Sequence, residues 1–222
     1  MADGGKLQML AVDDMPAYDT TVGQTIGRII PTHWVDIDNP DPNLAGGEPT
    51  CFAQGRGQGG AAFNRLEGIY RGAGNSIYFI STSGGAAQSG QLWQYRPVGP
   101  NLGNLTLVFE SPSGSVLDSP DNMCVTPSGA ILFCEDDSNP TPGQVDDTHP
   151  LAPGITDVNR LIGLSRDGLP FEFAVNVLND SEFAGACFSP DGNTLFVNLF
   201  GGAATGSGMT CAITGPWRRG PL

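Results

Sequence analysis

The sequence predicts an all-β fold, and within that class a β-propeller of about three four-stranded blades, from three observations. The 222 residues hold 32 Gly and 18 Pro against 39% apolar residues, the composition of a turn-rich β protein. No window sustains apolar residues at i, i+3, i+4 and i+7 for three turns, whereas short apolar runs such as Ile77 to Ile80 and Ile131 to Phe133 stand between Gly, Pro and Ser clusters. A plan of apolar strand, glycine turn and second apolar strand recurs around Gly74, Gly129 and Gly192, 55 and 63 residues apart, which suits blades carrying loop insertions.

Residues 1–62 read as the end of a preceding blade plus loops, with two weak strands, Leu7 to Val12 and His33 to Ile37. The acids at Asp36, Asp38 and Asp41 lack the Gly and distal Glu of an EF-hand loop, and an Asx-turn before proline accounts for them equally well. His33 and His149 are isolated and are expected to hold no metal.

Residues 63–222 read as propeller blades with a long loop on the rim at 137–158. Phe63-Asn64-Arg65-Leu66-Glu67-Gly68 opens the first blade, and a strand period of two would place Arg65 and Glu67 on one face. Gln91 to Arg96 and Leu105 to Glu110 supply two further alternating strands. The second hairpin turns at Pro127-Ser128-Gly129 and is followed by Asn159 to Leu164 and Phe171 to Asn176. The third turns at Pro190-Asp191-Gly192, and Met209 to Thr214 is the last strand. Both turns place Pro at i+1 and Gly at i+3, as a type I turn prefers. Three blades are too few to close a ring, so the chain is expected to be half of a longer protein, with the missing N-terminal half as its partner.

The formal charge of -13 makes nucleic acid and anionic membrane surfaces poor partners and cations good ones. No stretch approaches the length of a membrane span, and Met1 to Gly5 shows neither a basic nor an apolar leader segment. The five cysteines, Cys51, Cys124, Cys134, Cys187 and Cys211, form no C-x-x-C pair and are odd in number, so buried thiols are expected. Cys124 and Cys187 in particular are expected to be small buried hydrophobes of the innermost strands.

In a propeller, the start of each blade's first strand and the end of its second converge on one rim. The sequence places Arg65 and Glu67, then Asp118, Asp121 and Asn122, then Asp180 and Glu182 at the first-strand starts, and Ser81 to Gly85, Glu135-Asp136-Asp137 and Asn198 at the second-strand ends. Each acid alone could cap a turn. Their recurrence at equivalent places instead describes a site of oxygen ligands for hard cations.

These residues resemble the PhoX-type alkaline phosphatases. The phrases that carry the likeness are Phe63-Asn-Arg-Leu-Glu-Gly, Thr82-Ser-Gly-Gly, Gly90-Gln-Leu-Trp, Phe109-Glu-Ser, Asp118-Ser-Pro-Asp-Asn, Cys134-Glu-Asp, Ser181-Glu-Phe-Ala-Gly-Ala-Cys-Phe-Ser-Pro-Asp-Gly and Gly215-Pro-Trp, in that order. The resemblance implies a six-bladed propeller whose rim holds Fe3+ and Ca2+ and hydrolyses small phosphomonoesters, in an enzyme exported to the periplasm or the extracellular space. It implies that Glu67 ligates iron and that Arg65 contacts the substrate phosphate. Asp118, Asp121, Asn122, Glu135 and Glu182 then become further metal ligands, mainly from their repeat positions. The family's iron-binding cysteine belongs to the missing half, so none of the five thiols inherits that role. Two other readings stay open: a calcium-dependent lactonase-like propeller hydrolase, which leaves Arg65 unexplained, and a non-catalytic metal-binding remnant.

Overall fold

The computed structural model describes residues 4–136, 159–179, 181–201 and 206–222. The expected rim loop at 137–158, with His149, and also Asp180 lie outside the described residues. The apolar runs form antiparallel strands: β1 (Gln8–Val12), β2 (Ile29–Asp36), β3 (Leu66–Arg71), β4 (Ile77–Ser81), β5 (Gln91–Gly99), β6 (Leu102–Glu110), β7 (Pro120–Val125), β8 (Ile131–Glu135), β9 (Arg160–Leu164), β10 (Pro170–Val175), β11 (Phe183–Phe188), β12 (Thr194–Leu199) and β13 (Met209–Thr214). The all-β expectation therefore holds, with one exception. Cys51–Gly57, expected as loop, is a short α-helix, α1, started by Thr50, whose side chain accepts the Ala53 N–H. Seven residues with two glycines are too few to show a helical period.

The strands make three sheets, ordered β1-β2-β6-β5-β4-β3, β7-β8-β9-β10 and β11-β12-β13. Each contains a meander that begins at one of the three repeated hairpins. The turns at Gly129 and Gly192 close as expected, with Gly129 N–H donating to Thr126 O and Gly192 N–H donating to Ser189 O. Both glycines have positive φ, 92° and 71°, a conformation that disfavours any side chain. Residues 1–62 contribute β1 and β2 to the outer edge of the first sheet, where β2 pairs with β6 in the register Ile30↔Leu105.

The sheets pack face to face in chain order. Ile80, Leu92, Phe109 and Leu117 meet Met123, Ile131, Phe133 and Ile162 between the first and second. Cys124, Leu132, Cys134 and Leu161 meet Phe183, Leu195, Val197 and Leu199 between the second and third. The middle sheet is thus covered on both sides, which explains why β8 and β9 are buried at every residue and read as unbroken apolar runs. Each large side chain so enclosed stabilises the fold by roughly 1.5–3 kcal/mol. At the first-strand edges, a Cβ on Gly68 would lie 2.9 Å from Asp121 O, so glycine lets β3 approach β7 closely.

The two end faces are less covered. Leu66, Ile69 and Phe52 are more than half exposed on the outer side of the first sheet, around an apolar cavity of about 820 Å³ that Phe63 and Phe79 also line. On the third sheet Cys187 is exposed, which corrects the expectation that it is buried. It pairs with Phe196 of β12, itself 38% exposed. Cys124, one sheet inward, is fully buried as expected.

Candidate functional site

The starts of β3, β7 and β11 lie at one end of the three sheets, and the backbone there departs from regular strand in each case. The β3–β4 register slips between Leu66 and Ile69, the β7–β8 register between Pro120 and Asn122, and the β11–β12 register between Ala184 and Cys187. A bulge re-aims the side chains beside it and is over-represented next to active sites. Arg65 and Ser119, just before or at the first two bulges, have φ of 50° and 40°. Non-glycine residues enter that region only where their surroundings hold them there.

This geometry overturns the same-face argument for Arg65 and Glu67. Arg65 precedes β3, and the bulge breaks the period of two, yet both side chains are exposed at the rim. The Arg65 loop is tied to the end of β4 by Thr82 N–H to Arg65 O at 2.8 Å, Ser81 Oγ–H to Asn64 O at 2.6 Å and Asn64 Nδ2–H to Ser83 O at 2.8 Å. The guanidinium itself makes one long hydrogen bond, 3.5 Å to Ser83 Oγ. No carboxylate among the described residues lies within ion-pair distance of it.

Three carboxylates from two sheets converge: Asp121 at the start of β7, Asp136 just past β8 and Glu182 just before β11 place one oxygen each within 4.8 Å of one another. Thr82 Oγ1 donates to Asp121 Oδ1 at 2.8 Å, so the first sheet steadies a carboxylate of the second. Burial pushes the Asp121 carboxyl up to about 6, with Asp136 and Glu67 adding to the rise while the Thr82 hydrogen bond and Arg65 oppose it. Burial pushes Glu182 up to about 7, reinforced by the negative charges of Asp136, Asp121 and Glu67. Glu67 therefore belongs electrostatically to the same cluster. Among the described residues Arg65 is the opposing charge that acts on Asp121, and the four acids form a set of hard oxygen donors that fits a hard cation.

The remaining sequence-expected ligands sit elsewhere. Glu135 is fully buried and accepts from Arg160 Nε at 2.7 Å, Arg160 Nη2 at 2.7 Å, Arg160 N at 3.1 Å and Asp118 N at 2.8 Å. Its oxygens are already engaged, so a ligand role is corrected to a structural one. Asp118 is also buried, accepting from Ser119 Oγ at 2.9 Å, beneath the turn that carries Asp121. Asn122 follows Asp121 on β7, half-buried against Gly68 of β3. Sequence reasoning set Asp136 among the rim acids but chose its neighbour Glu135 as the ligand. The clue was parity, since neighbouring residues at a strand end face opposite ways. It missed Arg160, whose lone charge in the apolar strand Arg160–Leu164 required an acid opposite it.

The raised carboxyls set a sign for stability in metal-free protein. Their folded-state affinity for protons exceeds the unfolded one, so their contribution is present below about pH 4 and is lost as pH rises through 6 to 7. In chelator-treated protein the melting temperature should fall across that window, and Ca2+ should restore it at pH 7 more than at pH 5. Asp191, held at about 2 chiefly by its hydrogen bond from Ser189, acts in the opposite direction and only at lower pH. A melting temperature flat from pH 4 to 7 would count against the cluster.

The fold of the chain is similar to that of Pseudomonas fluorescens PhoX, solved in complex with vanadate, a transition state analogue, with a TM-score of 0.62 and 17% identity over 96% of this chain and 44% of that one. A luciferin-regenerating enzyme aligns with a TM-score of 0.45 and 13% identity over 71% of this chain and 47% of that one. No curated protein matches. The chain thus spans less than half the length of that PhoX structure. The family model described as alkaline phosphatase PhoX matches residues 1–201, and the chain belongs to that family.

Proposed function

We propose that this chain supplies one half of the active site of a metal-dependent phosphomonoesterase that releases inorganic phosphate from small phosphate esters. Convergence of Asp121, Asp136 and Glu182, with the Glu67 charge acting on Asp121 and Glu182, beside a guanidinium that no described carboxylate pairs carries the reading. In it, Glu67, Asp121, Asp136 and Glu182 hold Fe3+ and Ca2+, and Arg65 binds the phosphate. Such ions, when bound, neutralise phosphoryl charge and acidify a bound water.

The chain's own groups do the positioning. The Arg65 fork can give two parallel hydrogen bonds to phosphoryl oxygens, which a carboxylate partner would otherwise occupy. The ties from Ser81, Thr82 and Asn64 hold the Arg65 backbone at the rim, from which the fork can reach the substrate. Thr82 fixes the rotamer of Asp121. Phosphate monoesters hydrolyse so slowly without catalysis that both charge stabilisation and orientation are needed.

The same reading makes the whole a six-bladed propeller, periplasmic or extracellular, whose N-terminal half packs on the exposed outer faces. The apolar cavity beside Leu66, Ile69 and Phe52 supports such a seam, as does coverage of only 44% of the PhoX relative. The test is to load the chain with Fe3+ and Ca2+, alone and co-expressed with a PhoX N-terminal half, and to measure bound metal and phosphate release from p-nitrophenyl phosphate. Iron and calcium together with turnover in the assembled protein are expected. Calcium without turnover would overturn the phosphatase reading in favour of a non-catalytic or lactonase-like one.

A further inference from the structure

We propose that the buried Arg160–Glu135 pair is a positioning clamp that sets two of the cluster carboxylates, Asp121 and Asp136; its metal-binding consequence rests on the reading above. The β8–β9 register Cys134↔Leu161 brings Glu135 and Arg160 to one end of the middle sheet. There the guanidinium grips Glu135 through Nε and Nη2 and reaches past it to the carbonyls of Gly114, at 2.8 Å, and Ser115, at 3.1 Å. The Glu135 carboxylate in turn accepts the Asp118 N–H at 2.8 Å.

One charge pair therefore ties three separate pieces of chain: the end of β8, the start of β9 and the loop that leads into β7. Both proposed ligands lie directly on those pieces. Asp136 follows Glu135, and its N–H donates to Ser119 O at 3.2 Å. Asp121 lies two residues beyond Ser119, whose φ of 40° is strained for serine. A residue in that conformation relaxes unless its neighbours over-determine it, and Glu135 with the Ser119–Asp136 bond does so from both sides. Both side chains are buried, so the pair acts through the turn. Groups that orient metal ligands in this way typically change metal affinity ten- to a hundredfold when removed.

The test uses the full chain with Glu135→Gln and Arg160→Met combined, which removes both charges while glutamine can still accept the Asp118 N–H. Amide exchange and the side-chain carboxyl NMR shifts of Asp121 and Asp136 are measured, together with Ca2+ affinity by calorimetry. Asp136→Asn serves as the direct-ligand comparison. The clamp predicts at least tenfold faster exchange at the Asp136 amide, moved carboxyl shifts for both acids, β8 and β12 amides protected as in the wild type, and Ca2+ binding weakened ten- to a hundredfold. Wild-type exchange and shifts would overturn it whatever happens to melting temperature, as would altered exchange with unchanged Ca2+ affinity. If the wild-type chain and Asp136→Asn both fail to bind Ca2+, the metal reading falls, and the exchange and carboxyl shifts alone decide the clamp.

Discussion

Arg65→Lys is expected to lower kcat/KM for a soluble phosphomonoester by roughly 10- to 150-fold in the assembled, metal-loaded protein, while its iron and calcium content stays at the wild-type level. The figure corresponds to about 1.5–3 kcal/mol, the range for a charge-assisted hydrogen bond, because lysine retains the charge but not the planar two-donor fork. Glu67→Gln should behave differently. It keeps the shape and removes a charge that acts on Asp121 and Glu182, so metal content and activity should fall together. If the two residues merely stabilised the start of β3, both variants would lose a little stability and spare turnover. Metal stoichiometry measured beside kcat/KM separates the readings, and unchanged metal in Glu67→Gln would remove that residue from the site.

Arg160→Met alone is expected to destabilise the chain by about 3–5 kcal/mol, since it leaves the Glu135 charge buried without its partner. That is a large share of the roughly 5–15 kcal/mol that holds a domain together. For a chain of this size it corresponds to a fall in melting temperature of roughly 6–20 °C. Adding Glu135→Gln should recover most of the loss, because a neutral amide costs less to bury and can still accept the Asp118 N–H. Thermal denaturation of the three proteins measures this directly. A single variant as stable as the wild type would mean that the pair is not enclosed as the structure places it.

Much of the fold was legible because strand period and turn chemistry are local. Pro127-Ser128-Gly129 and Pro190-Asp191-Gly192 specify their hairpins through backbone preferences that neighbouring sheets do not alter. The helix at Cys51–Gly57 escaped because its stability comes from the Thr50 cap and from packing, with Gly55 pressed against Met9 and Ile37. Cys187 escaped for a related reason. Its strand looks the same as that of Cys124, but burial depends on whether another sheet covers the face.

The site divides in the same way. The sequence by itself determined which residue types gather at the rim, because repeated hairpins bring first-strand starts and second-strand ends to one end of every sheet. Arg65, Glu67, Asp121 and Glu182 were named from that alone, but so were Asp118, Asn122 and Glu135. Only the tertiary structure decided that Asp136 faces the cluster while its neighbour Glu135 turns inward to Arg160. The physical reason is that a carboxylate's role is set by what lies within about 4 Å of its oxygens, and at a bulged strand end that depends on a half-turn of backbone and on a guanidinium 25 residues away in sequence.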